Sequence, residues 1–150
     1  MLYDRLEPYA TCPIIAGLFI LFLVFLAGFE YRGRLFGKHV KTLDAHRLEV
    51  YTPADVKAFF EELGDRNRKI YAWTQVTFDI AFPLVYGVLF ALLIVCFYPE
   101  EWARWLVMIP CVGVVADVLE NITSAVLAWS YTGDESSLSW AATVFTLAIT

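Results

Sequence analysis

Long apolar runs alternate with polar segments along this chain and predict four helices. The runs cover residues of about 12–29, 70–97, 102–130 and 138–150, and the first three are long enough to cross a bilayer. Backbone groups in lipid must satisfy their hydrogen bonds within the protein, so we expect an all-α fold. The sequence therefore predicts a single transmembrane domain, a four-transmembrane-helix bundle. The last run gives only about 20 Å of helix, so we expect the natural chain to continue beyond Thr150.

The second and third apolar runs are joined by a short turn near residue 100. A connection of this length predicts an antiparallel hairpin, in which an ideal register sets residue 79 opposite residue 121. In the same register Asp117 lies close to the level of Pro83. We expect this register to hold to within about one helical turn, because a proline inside a helix can bend it.

The polar segment between the first two runs contains one amphipathic helix, over about residues 53–63. Thr52 is a good N-cap, Pro53 suits the first helical position, and Gly64 ends the pattern. Four apolar side chains share one face at helical spacing: Val56, Phe59, Phe60 and Leu63. Two locations fit such a helix. It lies in the lipid headgroup region, or it docks on the bundle or on a partner protein.

Acidic and amide side chains interrupt the second and third runs on one face of each helix. Their spacing predicts an inward-facing polar cluster, whose candidate ligand- or partner-binding residues are Asp79, Tyr86, Asp117, Glu120, Asn121 and Ser124. A charged group at membrane depth costs at least about 2.5 kcal/mol on insertion scales, and no basic residue accompanies these acids in their apolar stretches. We therefore expect at least one of the three carboxyls to be protonated at neutral pH.

Several roles remain open for this cluster. The carboxyls would relay a proton or cation, or would serve as acid and base toward a lipophilic ligand, or would receive a basic side chain from another subunit. The structural alternative is that these groups hydrogen-bond between helices and set the register of the bundle, each contact contributing about 0.6 kcal/mol.

Composition and charge support a membrane location. Hydrophobic residues make up 59% of the chain, and the mean hydropathy of +0.60 is too high for a soluble domain of this size. The tryptophans lie near the expected ends of the spans, where aromatic belts form: Trp73, Trp102, Trp105, Trp129 and Trp140. A net charge of −5 argues against a nucleic-acid partner.

The distribution of basic residues predicts the orientation. Nine of the eleven Lys and Arg residues lie between the first two runs, so the positive-inside rule places residues of about 31–69 in the cytoplasm. Both termini are then outside, and we expect the membrane to be a bacterial inner membrane.

Metal chemistry is not indicated by the spacing of the acidic residues. The third run lacks the Glu-x-x-His pairing of carboxylate di-metal bundles, and both histidines, His39 and His46, lie in the polar segment. We predict no metal and no cofactor, and the ligand class left open is a lipid or other lipophilic molecule.

Short motifs spread from Leu43 to about Leu127 resemble a pattern in uncharacterised small four-helix bacterial integral membrane proteins. They are Tyr51-Thr52-Pro53, Phe60, Leu63-Gly64, Asp79-Ile80, Phe82-Pro83-Leu84, Tyr86-Gly87, Asp117 and Glu120-Asn121. The resemblance implies a four-helix fold and no particular activity.

Three functions follow as hypotheses. The first is a small accessory or structural subunit that packs against other integral membrane subunits of a larger complex, for example a bioenergetic one. The second is a membrane enzyme or binding protein in which Asp79 and Glu120 act as acid and base. Asn121 and Tyr86 then orient the ligand, and Asp117 tunes the pKa values of the two acids. The third is a proton-coupled transporter that works as an oligomer.

Overall fold

The structure is a computed structural model that describes residues 2–35 and 53–133. These residues form helices and no strand. The elements are α1 (Leu2–Leu6), a 3₁₀ turn (Glu7–Tyr9), α2 (Cys12–Leu35), α3 (Pro53–Phe97), α4 (Glu100–Leu106) and α5 (Met108–Ser130).

Three of these helical stretches are long and apolar enough to cross a membrane. They are Cys12–Arg32, Val56–Phe97 and Glu100–Ser130. The prediction of an all-α chain with membrane-length helices is confirmed for the described residues. The fourth predicted span, residues 138–150, lies outside them, and so do Thr52 and both histidines.

Helix α2 continues past the apolar run that defines it in the sequence. The run ends at Phe29, whereas the helix extends to Leu35 and includes Arg32. Tyr, Arg and Leu are acceptable helix formers, so a helix does not end where its apolar residues end. This extension matters because it brings a guanidinium group onto a membrane-length helix.

Helix α3 is broken at Gly64. That residue has φ 67° and ψ 168°, a backbone conformation that suits glycine, and it separates an arm of residues 53–63 from a long helix of residues 65–97. Pro83 lies inside the long helix without a second break.

The described chain divides into two compact units. The first comprises residues 2–29 and 80–118, and the second comprises residues 30–35, 53–79 and 119–133.

In the first unit, α1 packs on the end of the helical hairpin. Tyr3 is buried together with Val95, Ala103 and Val107. The Arg104 guanidinium pairs with Asp4 at 3.1 Å and with Glu100 at 2.6 Å, and it lies 5.4 Å from the centre of the Tyr3 ring. These contacts tie the N-terminal turn to α4.

In the second unit, the arm buries the four apolar side chains that the sequence singles out. Val56, Phe59, Phe60 and Leu63 are at most 6% exposed. They belong to one core whose other members are Tyr71, Ala72, Ala125, Leu127, Ala128 and Tyr131. The arm therefore packs through this face on residues of α3 and α5.

Polar contacts close the edge of that core. The Arg68 guanidinium lies 5.0 Å from the centre of the Tyr131 ring, and the Tyr131 hydroxyl donates a long hydrogen bond of 3.5 Å to Glu61. Burial, together with the nearby Glu61 carboxylate, raises the pKa of the Tyr131 phenol. The hydroxyl therefore stays protonated as a donor that joins the arm to the end of α5.

Candidate functional site

Asp79 is paired with a cation. One terminal nitrogen of Arg32 lies 2.7 Å and 2.8 Å from the two carboxylate oxygens of Asp79. Both side chains are largely buried, with exposed fractions of 17% for Arg32 and 8% for Asp79. The expectation that the acids have no basic partner is thus wrong for Asp79, because the partner comes from a different helix.

The carbonyl of Asp79 receives a second contact from α5. In an α-helix the carbonyl of residue 79 would accept the N–H of residue 83, but residue 83 is a proline and has no N–H. The Asn121 side-chain amide donates to this carbonyl at 2.7 Å. Asn121 therefore provides a donor in place of the N–H that Pro83 lacks. The contact also confirms the predicted register of residue 79 opposite residue 121.

Tyr86 and Asp117 form a separate pair in the first unit. The Tyr86 hydroxyl donates to Oδ2 of Asp117 at 2.6 Å, a short bond of the kind that links a hydroxyl to a carboxylate. Asp117 is half-buried. In the same unit Gly87 packs against Val114 so closely that an added Cβ would lie 2.2 Å from its Cγ2 atom.

The remaining predicted residues lie in the second unit on α5. Glu120 is half-buried, and Ser124 is only 4% exposed. Gln75 of α3, which the sequence places on the Asp79 stripe, is 3% exposed, and its side-chain oxygen has no hydrogen-bond partner within the described part of the chain. The predicted cluster is therefore distributed over two units: Asp79 meets Asn121 in one, and Tyr86 meets Asp117 in the other.

The pairing of Asp79 limits its chemistry. A carboxylate held at hydrogen-bond distance by a guanidinium is stabilised in its charged form, and arginine does not give up its proton in proteins. Such a pair links two helices well and is poorly suited to accept or donate a proton during a reaction.

An open apolar groove of about 350 Å³ lies in the first unit. It contains no carboxyl group, and its lining residues are Phe90, Leu93, Ile94, Phe97, Tyr98, Ile109 and Pro110. The groove therefore does not provide the acid and base that the enzyme hypothesis needs.

The chain was also compared with known proteins. No family model, no curated protein and no solved structure matches it.

Proposed function

We propose that this protein is a small integral membrane accessory subunit that packs against a larger membrane complex. The observation that carries the proposal is that the polar residues of the predicted spans bind to one another between helices. Arg32 with Asp79, Asn121 with the Asp79 carbonyl, and Tyr86 with Asp117 each join two different helices of the chain. Such contacts set helix register and need no substrate.

The exposed surface of the spans fits a subunit surrounded by other apolar groups. The apolar window of α2 contains no buried residue, and its exposed side chains include Phe19, Ile20, Leu23 and Val24. Lipid chains and neighbouring membrane helices are the two surroundings in which such a surface is stable.

The orientation that belongs to this proposal has residues 31–69 in the cytoplasm and both termini outside, with four spans in a bacterial inner membrane. The charge distribution supports it. The contacts of Tyr131 with Glu61 and Arg68 support one part of it, namely that the end of α5 and the start of the long helix of α3 lie on the same side.

The experiment is isolation from native membranes. A C-terminally tagged chain is expressed at its natural level, solubilised in mild detergent and purified, and we expect a stoichiometric membrane protein to copurify. In the control, membranes from cells that express the untagged chain are mixed after lysis with membranes that contain the tagged chain. A protein that binds the tagged chain only after this mixing has associated in detergent and not in the cell. A stable, monodisperse monomer with no copurifying protein would exclude the proposal.

The acid–base hypothesis is not favoured, because it needs Asp79 to exchange a proton while Arg32 holds its carboxylate. If Asp79→Asn and Glu120→Gln both removed the turnover of a lipophilic substrate from a folded protein, that hypothesis would replace ours.

A further inference from the structure

Asp117 differs from Asp79 in its electrostatic partners. Asp79 has Arg32, whereas no salt bridge to Asp117 is formed by any Lys or Arg of the described residues. The polar contact that Asp117 makes is the hydrogen bond from Tyr86 to its Oδ2 atom. Its Oδ1 atom thus remains able to face a positive charge.

Aromatic rings surround Tyr86 in the same unit. On α3, Phe82 and Phe90 lie one turn to either side, with ring centres 5.4 Å and 5.7 Å from that of Tyr86. From α2, Phe22 stacks on Phe82 at 5.5 Å and meets Phe90 at 6.3 Å. The faces of aromatic rings carry negative potential and attract cations within about 6 Å.

The group is accessible from outside. Phe90 is 44% exposed, and Tyr86 and Asp117 are half-buried. Beside the hydroxyl, Gly113 has no side chain, and a Cβ added there would lie 3.8 Å from the Tyr86 oxygen, an ordinary contact distance. No side chain at position 113 therefore covers the Tyr86 hydroxyl.

We propose that Asp117, Tyr86 and the adjacent ring of Phe90 bind an organic cation with apolar substituents, of the quaternary ammonium class. Asp117 provides the opposite charge, Tyr86 orients its carboxylate, and the exposed ring of Phe90 contacts the apolar groups around the charge. The site goes beyond the proposed function and does not depend on a partner subunit.

The chemistry of the site favours this ligand over other cations. A metal ion such as Ca²⁺ takes six to eight oxygen ligands, and Mg²⁺ takes six, whereas the pair offers one carboxylate and one hydroxyl. A lysine side chain from a partner brings three N–H donors that each need an acceptor. A quaternary ammonium has no N–H group, so the rings and one carboxylate are sufficient.

The test is binding of benzyltrimethylammonium to the full chain in lipid nanodiscs, measured by equilibrium dialysis against empty nanodiscs. We expect saturable binding of about one probe per chain. The neutral isostere neopentylbenzene should only partition into lipid, without saturation, because it lacks the charge that Asp117 recognises.

Variants locate the site. Asp117→Asn should weaken binding about tenfold or more, and Phe90→Leu about threefold or more. The matched controls are Glu101→Gln and Phe97→Leu, an exposed acid and a ring that is 78% exposed, and both should bind like the wild type. Circular dichroism and gel filtration establish that each variant is folded.

If Asp117→Asn does not fold, the comparison of the cation with its isostere and of Phe90→Leu with Phe97→Leu decides the question. The proposal is overturned by a lack of saturable binding, by equal binding of the isostere, or by unchanged affinity in folded Asp117→Asn.

Discussion

At the residue scale, Pro83 and Asn121 act as a pair although they lie on different helices. Asn121→Ala should destabilise the protein by about 1–3 kcal/mol, because it leaves the Asp79 carbonyl without a donor. In a Pro83→Ala background the helix supplies its own N–H, so the same change should cost clearly less. Unfolding in mixed detergent, followed by circular dichroism, measures both values.

Thr123→Ala is the matched control for the comparison of Asn121→Ala in the two backgrounds. Its hydroxyl bonds to Leu119 of its own helix at 2.7 Å and is exposed, so we expect a change within about 0.5 kcal/mol. Equal costs of Asn121→Ala in the two backgrounds would contradict the pairing.

The Arg32–Asp79 pair gives a second residue-scale prediction. Asp79→Asn should destabilise the fold by about 3–5 kcal/mol, because it leaves a largely buried guanidinium without its counterion. The double variant Arg32→Gln with Asp79→Asn should be more stable than Asp79→Asn alone. Additive losses in the same unfolding assay would mean that the two side chains are not coupled.

Two glycines in the first unit differ in the space around them. Gly87→Ala should destabilise by about 1–3 kcal/mol, because its Cβ would lie 2.2 Å from Val114. Gly113→Ala should be neutral or stabilising, because the nearest atom is 3.8 Å away and alanine favours helix. Val114→Ala should restore the stability lost in Gly87→Ala. If it does not, this contact does not determine how closely the two helices pack.

At the element scale, the arm of residues 53–63 depends on its buried face. Phe60→Ala should remove about 3–5 kcal/mol of packing, since Phe60 is only 1% exposed. Hydrogen exchange should then become faster throughout the arm, while Phe97→Ala should leave it unchanged. Unaltered protection of residues 53–63 in Phe60→Ala would contradict the docked position.

Local features explain which parts of these elements the sequence could predict. The break at Gly64 follows from a residue that tolerates positive φ, and the register of residues 79 and 121 follows from a short turn. The Arg32 partner could not be predicted in this way, because no short turn connects α2 to α3 and sets their register. The available indication was the position of Arg32 in the sequence. It follows the first apolar run by three residues, at the end of α2 that lies nearest in sequence to the second run.

The site itself was only partly predictable for the same reason. Helical spacing predicted inward-facing stripes that contain Asp79, Asn121, Tyr86 and Asp117, and in the structure Asp79 is buried and the other three are half-buried. It could not assign the contacts, since a register that sets residue 79 opposite residue 121 puts Tyr86 opposite residue 114, about one turn from Asp117. The missing donor at Pro83 was the available signal for the role of Asn121.

At the scale of the whole molecule, the prediction concerns topology. In a background without the native cysteines, Lys57→Cys and Gly133→Cys should react with a membrane-impermeant maleimide only after the cells are opened. Glu7→Cys should react in intact cells, because α2 begins on the other side. Labelling of Gly133→Cys in intact cells would place the end of α5 outside and contradict the proposed orientation.

The hydrogen bond from the Asn121 amide to the Asp79 carbonyl also has a consequence for biogenesis. When α3 first leaves the ribosome, α5 has not yet been synthesised, and one carbonyl of α3 has no donor within lipid. The insertion machinery would therefore have to retain α3 in a hydrated channel until Asn121 emerges. The two helices should then enter the bilayer together, as one hairpin.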